Sequence, residues 1–371
     1  MIWRASRRAR IGQWLLLAVV VAFAWLLAGN AASNLARRNV PFGFGFLGNP
    51  TNFAIPFHLI SWTTTDTYAR ALLVCLLNTL LVSVIGIVVA TVLGLLVGIM
   101  RLSSNWLVRN IALSVIELVR NTPQLIQIIF WYVAVLQTLP GPRQSFVLPG
   151  GILLNVRGLY LPSLEFGPHG GHDAWLALLA ALAIPLVWRV RIGAMRVGWR
   201  ALALLVVAGG LLRAGIAHID RPALAGFNIA GGLTVPPELV ALSAGLAIYS
   251  AGFIAEIVRG SIEAVPKGQR EAATSLGLKP GPLLALVVLP QALRIMIPQL
   301  TSQYLNLIKS SSLGPAVAYP ELFQIYLGTV LNQTGREIET IVIVMVIFLS
   351  ISLLTSLFLN WYNRHVALVE R

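Results

Sequence analysis

From about Ala71 to Met100 the chain runs as one apolar segment, and comparable segments recur along its length. A bilayer core about 30 Å thick is crossed by roughly 20 helical residues. Inside it the backbone has no water to bond to, and a helix satisfies its own peptide groups within a single segment. The expected fold class is therefore all-α, a polytopic membrane protein. Composition agrees: 57% of residues are hydrophobic, 11% are charged and the mean hydropathy is +0.81. A soluble domain would carry about a quarter charged residues. The net charge of +14 sits in short loops beside apolar runs. Orientation and anionic headgroups account for it better than nucleic acid does. The only cysteine, Cys75, lies inside an apolar run, which excludes a disulfide framework and a cysteine metal site.

The spans follow from hydropathy and from the placement of basic residues. Arg4, Arg7, Arg8 and Arg10 precede an apolar stretch from Ile11 to Ala28, too long for an ordinary signal peptide and read as an uncleaved first span with its amino terminus inside. Residues 30–70 are polar and read as an external loop. The second span covers about 71–100. The third covers about 111–136 and is interrupted early by Glu117, Arg120 and Pro123. Residues 138–173 read as an external Gly/Pro-rich segment. Two further spans, about 174–188 and 201–217, flank a loop carrying Arg189, Arg191, Arg196 and Arg200. Residues 218–236 read as external. A sixth span covers about 237–258, a seventh, proline-broken one lies within 292–308, and the last covers about 338–362. The total is about eight helices with both ends cytosolic, and Arg37-Arg38 is the one basic pair on the wrong side.

Between the sixth and seventh spans lies EAATSLGLKPGPLLALVVLP, from Glu271 to Pro290. Glu271 suits the first turn of a helix, where a carboxylate meets the positive end of the dipole. Ala272 and Ala273 favour helix and carry almost no side chain. Gly277 can stop the helix in the left-handed conformation, and Pro280-Gly281-Pro282 forbids its continuation. The expectation is a short helix outside the bilayer, about ten residues long, showing small residues to a partner.

The order Glu271-Ala272-Ala273, Gly277, Val287, Leu289-Pro290 resembles the signature of ABC-transporter permease subunits, with Val287 where that family usually has Ile. The resemblance implies that this loop is the coupling helix, with Glu271, Ala272, Ala273, Gly277, Leu278 and Pro290 docking into a groove of an ATP-hydrolysing subunit. It covers about 68–137 and 237–364, which look like the core of polar amino acid uptake permeases of ABC importer type I. Segment 138–236 is then an insertion with an extra helical hairpin. NVRGLYLP at 155–162, ELVRNTPQLIQ at 117–127 and LPQALR at 289–294 look like the general L-amino acid permease subgroup. One departure is Ser310, where many relatives carry Asp. The implied organisation is an N-terminal helix and periplasmic loop (1–70), a first core part (71–137), the insertion (138–236) and a second core part with the coupling loop (237–371).

No lysine here is preceded by glycine, so no Walker A loop exists and the energy source must be another subunit. No cofactor is expected on this chain, and ATP binds elsewhere. The run His169-Gly-Gly-His172-Asp173 lacks partners at fixed spacing, so no metal site is expected, and no catalytic arrangement is recognisable. Ionisable residues at membrane depth cost about 2.5 kcal/mol or more. Glu117 with Arg120, and Glu256 with Arg259, lie one helical turn apart and can pair along their own helices. For Arg120 and Arg259 a snorkelling pair at a helix end is an equal alternative. Glu256, with Tyr249 and Ser250, is read as lying near the translocation path. The interruptions at Thr122-Pro123 and from Pro290 to Pro298 could expose backbone to a solute or only shape the bundle.

The resemblance implies a permease subunit of a bacterial inner-membrane ABC importer for amino acids. Its partners would be an ATP-binding subunit dimer, a second similar permease and a periplasmic amino-acid-binding protein. One coupling helix per chain against two ATPase grooves gives that pairing a mechanical reason. The alternatives are an ion-coupled secondary transporter, which should show inverted repeats and acidic residues on several spans, and a membrane scaffold without transport.

Overall fold

The computed structural model describes residues 7–37, 43–166 and 216–366. The helix expected at 174–188, residues 201–215 of the helix expected at 201–217, the His169–Asp173 run and the basic loop at 189–200 lie outside the described residues, and Ile216 and Ala217 belong to a strand instead of a helix. The helices are α1 (Arg7–Arg37), α2 (Tyr68–Arg101), α3 (Trp106–Asn121), α4 (Gln124–Ile129), α5 (Pro237–Glu263), α6 (Lys267–Ser275), α7 (Pro280–Leu283), α8 (Leu289–Ser310), α9 (Leu331–Thr334) and α10 (Glu337–Val366). Among the described residues four helical stretches are long and apolar enough to cross a membrane: Tyr68–Arg101, Pro237–Glu263, Pro280–Val317 and Glu337–Trp361. Contacts divide the chain into two compact units, Met1–Val119 with Ser250–Arg371, and Arg120–Tyr249.

In the first unit α2 buries a stripe of small and polar residues at helical spacing, among them Cys75, Thr79, Val82, Gly86, Ala90, Gly94 and Gly98. Gly94 and Gly98 are the reason α5 can come so close. A Cβ on Gly94 would stand 2.5 Å from Ile254 Cγ2, and one on Gly98 would stand 2.8 Å from the Ala255 carbonyl oxygen. Without a hydrophobic drive between helices in lipid, such close backbone approach supplies the packing energy. Helix α8 packs against α10 and α2.

Residues 43–67, expected to be a featureless loop, are fastened to the helices. Phe46 and Ile55 join a buried cluster with Tyr68, Val74, Leu322, Tyr326 and Val344. Asn78 Nδ2 donates to the carbonyls of Phe57 and Pro320, both at 2.9 Å. Glu339 accepts from the Gly43 amide at 2.6 Å, and Arg336 donates to the Gly43 carbonyl at 2.7 Å. Glu321, fully buried, caps the helical turn that follows by accepting from the amides of Phe323 and Gln324.

In the second unit the described parts of the Gly/Pro-rich segment 138–173 and of 218–236, to which the sequence assigns no regular structure, carry β-strands. Strands β1 (Phe146–Leu148), β2 (Ile152–Asn155), β3 (Gly158–Leu161) and β8 (Leu233–Val235) form an antiparallel sheet in the order β1-β2-β3-β8. β4 (Ser163–Phe166) pairs with β5 (Ile216–Asp220), and β6 (Ala223–Ala225) with β7 (Asn228–Ala230). The molecule remains mostly helical, with a small β module inside the insertion. In the same unit Gly245 of α5 lets α4 approach closely: a Cβ there would lie 2.6 Å from Ile128 Cγ1.

Candidate functional site

Helix α6 is the short helix expected from the sequence, nine residues long, but it opens at Lys267, so Glu271 stands mid-helix and not in the first turn where the dipole would favour it. Its end is a complete double closure. The Gly277 amide donates to the Thr274 carbonyl at 2.9 Å, and the Leu278 amide to the Ala273 carbonyl at 3.2 Å. Gly277 takes φ +78° to allow this, a left-handed conformation in which a side chain is strained. Space is not the constraint, since nothing lies within 4 Å of a Cβ built on Gly277.

The helix and the loop that carries it are tied to the spans on either side. Arg270 donates to the Ile262 carbonyl at 2.6 Å, tying α6 to the end of α5. Val265, Val288 and Ala292 form a buried cluster with Ile262 and Leu283, joining the loop to the beginning of the next span. That span starts earlier than the sequence suggested. Pro280 opens α7 at a position where its missing N–H costs nothing. A π turn at Leu284–Val288 then leads into α8. Pro290 therefore sits in a helix rather than a loop, and Pro298 lies inside α8 without ending it. The loop proper is the stretch between Glu263 and Pro280.

The two alanines differ in their surroundings. Ala273 is 4% exposed, turned into the chain, whereas Glu271, Ala272 and Gly277 are exposed and Leu278 is half-buried. Leu276, which sequence reasoning passed over, is 83% exposed. It lies one turn beyond Ala272, on the same helix face. An aliphatic residue at the spot where a helix stops is the signal that could have found it.

Thr122 and Pro123 form the break between α3 and α4. The third apolar segment is thus divided: α3 is a separate helix carrying Glu117 and Arg120, and the apolar run proper is Gln124–Leu136. Gln127 spans the break, its Nε2 donating to the Thr122 carbonyl at 3.1 Å and its amide to the Pro123 carbonyl at 3.3 Å. Tyr249, Ser250, Glu256 and Arg259 all lie on α5, with Ser250 buried. Arg259 Nε donates to Glu256 at 2.9 Å, and the same guanidinium also pairs with Glu263. One cation is thereby shared by two carboxylates along one helix face. Among the described residues no cluster of His, Cys, Asp or Glu could hold a metal ion.

Residues 90–368 match the family described as binding-protein-dependent transport system inner membrane component. The chain is 45% identical over 379 residues to the putative amino-acid ABC transporter permease protein YhdX of Escherichia coli (strain K12), covering 98% of this chain and 95% of that one. It is 46% identical to the general L-amino acid transport system permease protein AapQ of Rhizobium johnstonii, over 97% and 92% of the two chains. In fold it is similar to a chain of a solved amino acid ABC transporter with histidines. The TM-score is 0.50 at 20% identity, over 80% of this chain and 95% of the other.

Proposed function

The chain belongs to the binding-protein-dependent transport system inner membrane components, and from that premise we propose that it is the membrane-spanning subunit of an ATP-driven importer carrying amino acids, polar or general L-amino acids, into the cytoplasm. Its fold, polytopic and mostly helical, is that of a type I ABC importer permease. The family works with ATP-binding subunits and a binding protein. In this reading ATP is bound and hydrolysed by a dimer of a separate subunit, a second similar permease completes the pore in the bacterial inner membrane, and a periplasmic protein delivers the amino acid.

The observation that carries the reading is the anchoring of α6. A helix that receives force from a groove must pass it on. Arg270 holds α6 to the end of α5, and the Val265-Val288-Ala292 cluster holds the loop to the next span. Push on α6 and both spans feel it. Ala272 gives the partner close access, and Leu276 offers an apolar knob to a pocket. Glu256, Tyr249, Ser250, Thr122 and Pro123 are assigned to the translocation path, with the ion pairs of Arg259 stabilising α5.

The test is reconstitution of the complex in proteoliposomes with labelled amino acids. Uptake should require ATP inside the cytosolic-side compartment and the binding protein outside. Uptake driven by a proton or sodium gradient without ATP would instead support a secondary transporter.

A further inference from the structure

The turn between β2 and β3 is built to display one side chain. Asn155 is fully buried. Its Nδ2 donates to Ser145 Oγ at 2.9 Å, and its Oδ1 accepts from the Arg157 amide at 2.8 Å. The Val156 amide donates to the Pro140 carbonyl at 3.0 Å, tying the turn to the segment that follows the Gln124–Leu136 run. Gly158 stands at φ +126°, and a Cβ there would lie 2.2 Å from the Val235 carbonyl oxygen, so only glycine fits. Asn155 and Gly158 are thus accounted for by geometry. Arg157 is left exposed, its guanidinium donating to Asn228 Oδ1.

Arg157 opens onto a cavity of about 610 Å³ that is also lined by Tyr132, Gln137, Val156 and Glu238. All belong to the unit Arg120–Tyr249. Glu238 stands in the first turn of α5, at the end of that helix away from α6, and accepts from the Tyr132 hydroxyl at 3.1 Å. Among the described residues no ion pair joins Arg157 to Glu238. The cavity therefore carries one positive and one negative group, each steadied by a neutral neighbour, and its volume falls in the range of about 300–1,000 Å³ usual for small solutes. A simple anion meets Glu238 and a simple cation meets Arg157, so each is disfavoured. A solute with a carboxylate and an ammonium on one carbon complements both.

We propose that this cavity is a reception site for the zwitterionic backbone of a free α-amino acid, with its carboxylate on Arg157 and its ammonium on Glu238. The site rests on the amino-acid reading above and deepens it. It contacts only the part that all α-amino acids share, and the side chain extends into the open part of the cavity. Such a site filters for amino acids as a class without choosing among them.

A cysteine at Val156 tests this in the full complex, without binding protein, because the native Cys75 is buried and slow to react. The rate of labelling by a membrane-impermeant thiol reagent is measured with and without L-alanine or L-glutamine. At four times the dissociation constant, labelling should slow about fivefold. The amide and N-acetyl derivatives of alanine should give no protection, and Arg157→Gln or Glu238→Gln should each abolish it. Gln137→Cys, at the exposed rim, serves the same purpose where Val156→Cys fails to assemble. Equal rates with and without amino acid would overturn the site, as would equal protection by the N-acetyl derivative. Protection by the binding protein alone would make the cavity a protein-docking surface and overturn it too. Uptake of L-alanine by the wild-type complex is followed in parallel. Uptake without protection refutes this site and leaves the transport reading standing, whereas protection without uptake supports the site and contradicts transport.

Discussion

The amide of Leu278 donates to the carbonyl of Ala273 at 3.2 Å, closing the last turn of α6 across a glycine held at φ +78°. The closure fixes where the exposed Leu276 stands relative to Ala272. Gly277→Asn should be tolerated, since Asn enters the left-handed region readily, whereas Gly277→Val should lose about 1–2 kcal/mol of local stability. With no neighbour within 4 Å of a Cβ there, any difference between the two variants arises from backbone conformation. Hydrogen exchange of the α6 amides in the assembled complex checks it. Faster exchange in the Val variant alone is expected, and equal exchange in both would remove the cap from the account.

Gly94 and Gly98 let α2 and α5 meet backbone to side chain. Gly94→Leu or Gly98→Leu should force the helices apart and cost roughly 1–3 kcal/mol or more by overpacking. Gly260→Ala, on α5 with nothing within 4 Å of the added carbon, is the control. Thermal unfolding of the purified complex should show the two leucine variants less stable than the control. Indistinguishable midpoints would contradict the close approach.

Glu256 shares Arg259 with Glu263. Glu256→Gln therefore leaves the arginine with a partner, and the complex should assemble normally. If Glu256 lines the translocation path, uptake should fall about tenfold, the size of roughly 1.4 kcal/mol of barrier. The double variant Glu256→Gln with Glu263→Gln removes both carboxylates that pair with Arg259 and leaves its charge uncompensated, so yield of the assembled complex should drop. Normal uptake by an assembled Glu256→Gln variant would remove this residue from the mechanism.

The parts of the fold legible in the sequence are those decided locally. The apolar runs at 71–100 and 237–258, the break at Thr122-Pro123 and the glycine stop at 277 follow from periodicity and from proline and glycine chemistry. The anchoring of 43–67 was not legible, because it depends on Asn78, Glu339 and Arg336, hundreds of residues away or on another helix. The β module was hidden as well. Its strands are three to five residues long, too short for an alternating pattern to stand out from a Gly-rich loop. Pro290 and Pro298 misled, since the seventh span reads as proline-broken, whereas Pro280 follows the end of α6 as expected. Pro280 and Pro290 open helices and Pro298 is carried within one, because position and surrounding packing decide whether a proline interrupts. In the candidate site the burial of Ala273 and the exposure of Leu276 depend on how the loop folds back on Val265 and Val288, which spacing alone does not reveal.

The most direct test of the coupling role of α6 is Ala272→Arg. Residue 272 is exposed and sits mid-helix, where arginine is a good helix former, so the fold and the Gly277 closure should survive. ATP hydrolysis and amino acid uptake are measured together in proteoliposomes containing the assembled subunits and the binding protein. Substrate-stimulated hydrolysis and uptake should both fall at least about tenfold, with the spans still inserted. Near-normal uptake with tightly stimulated hydrolysis would contradict the coupling role.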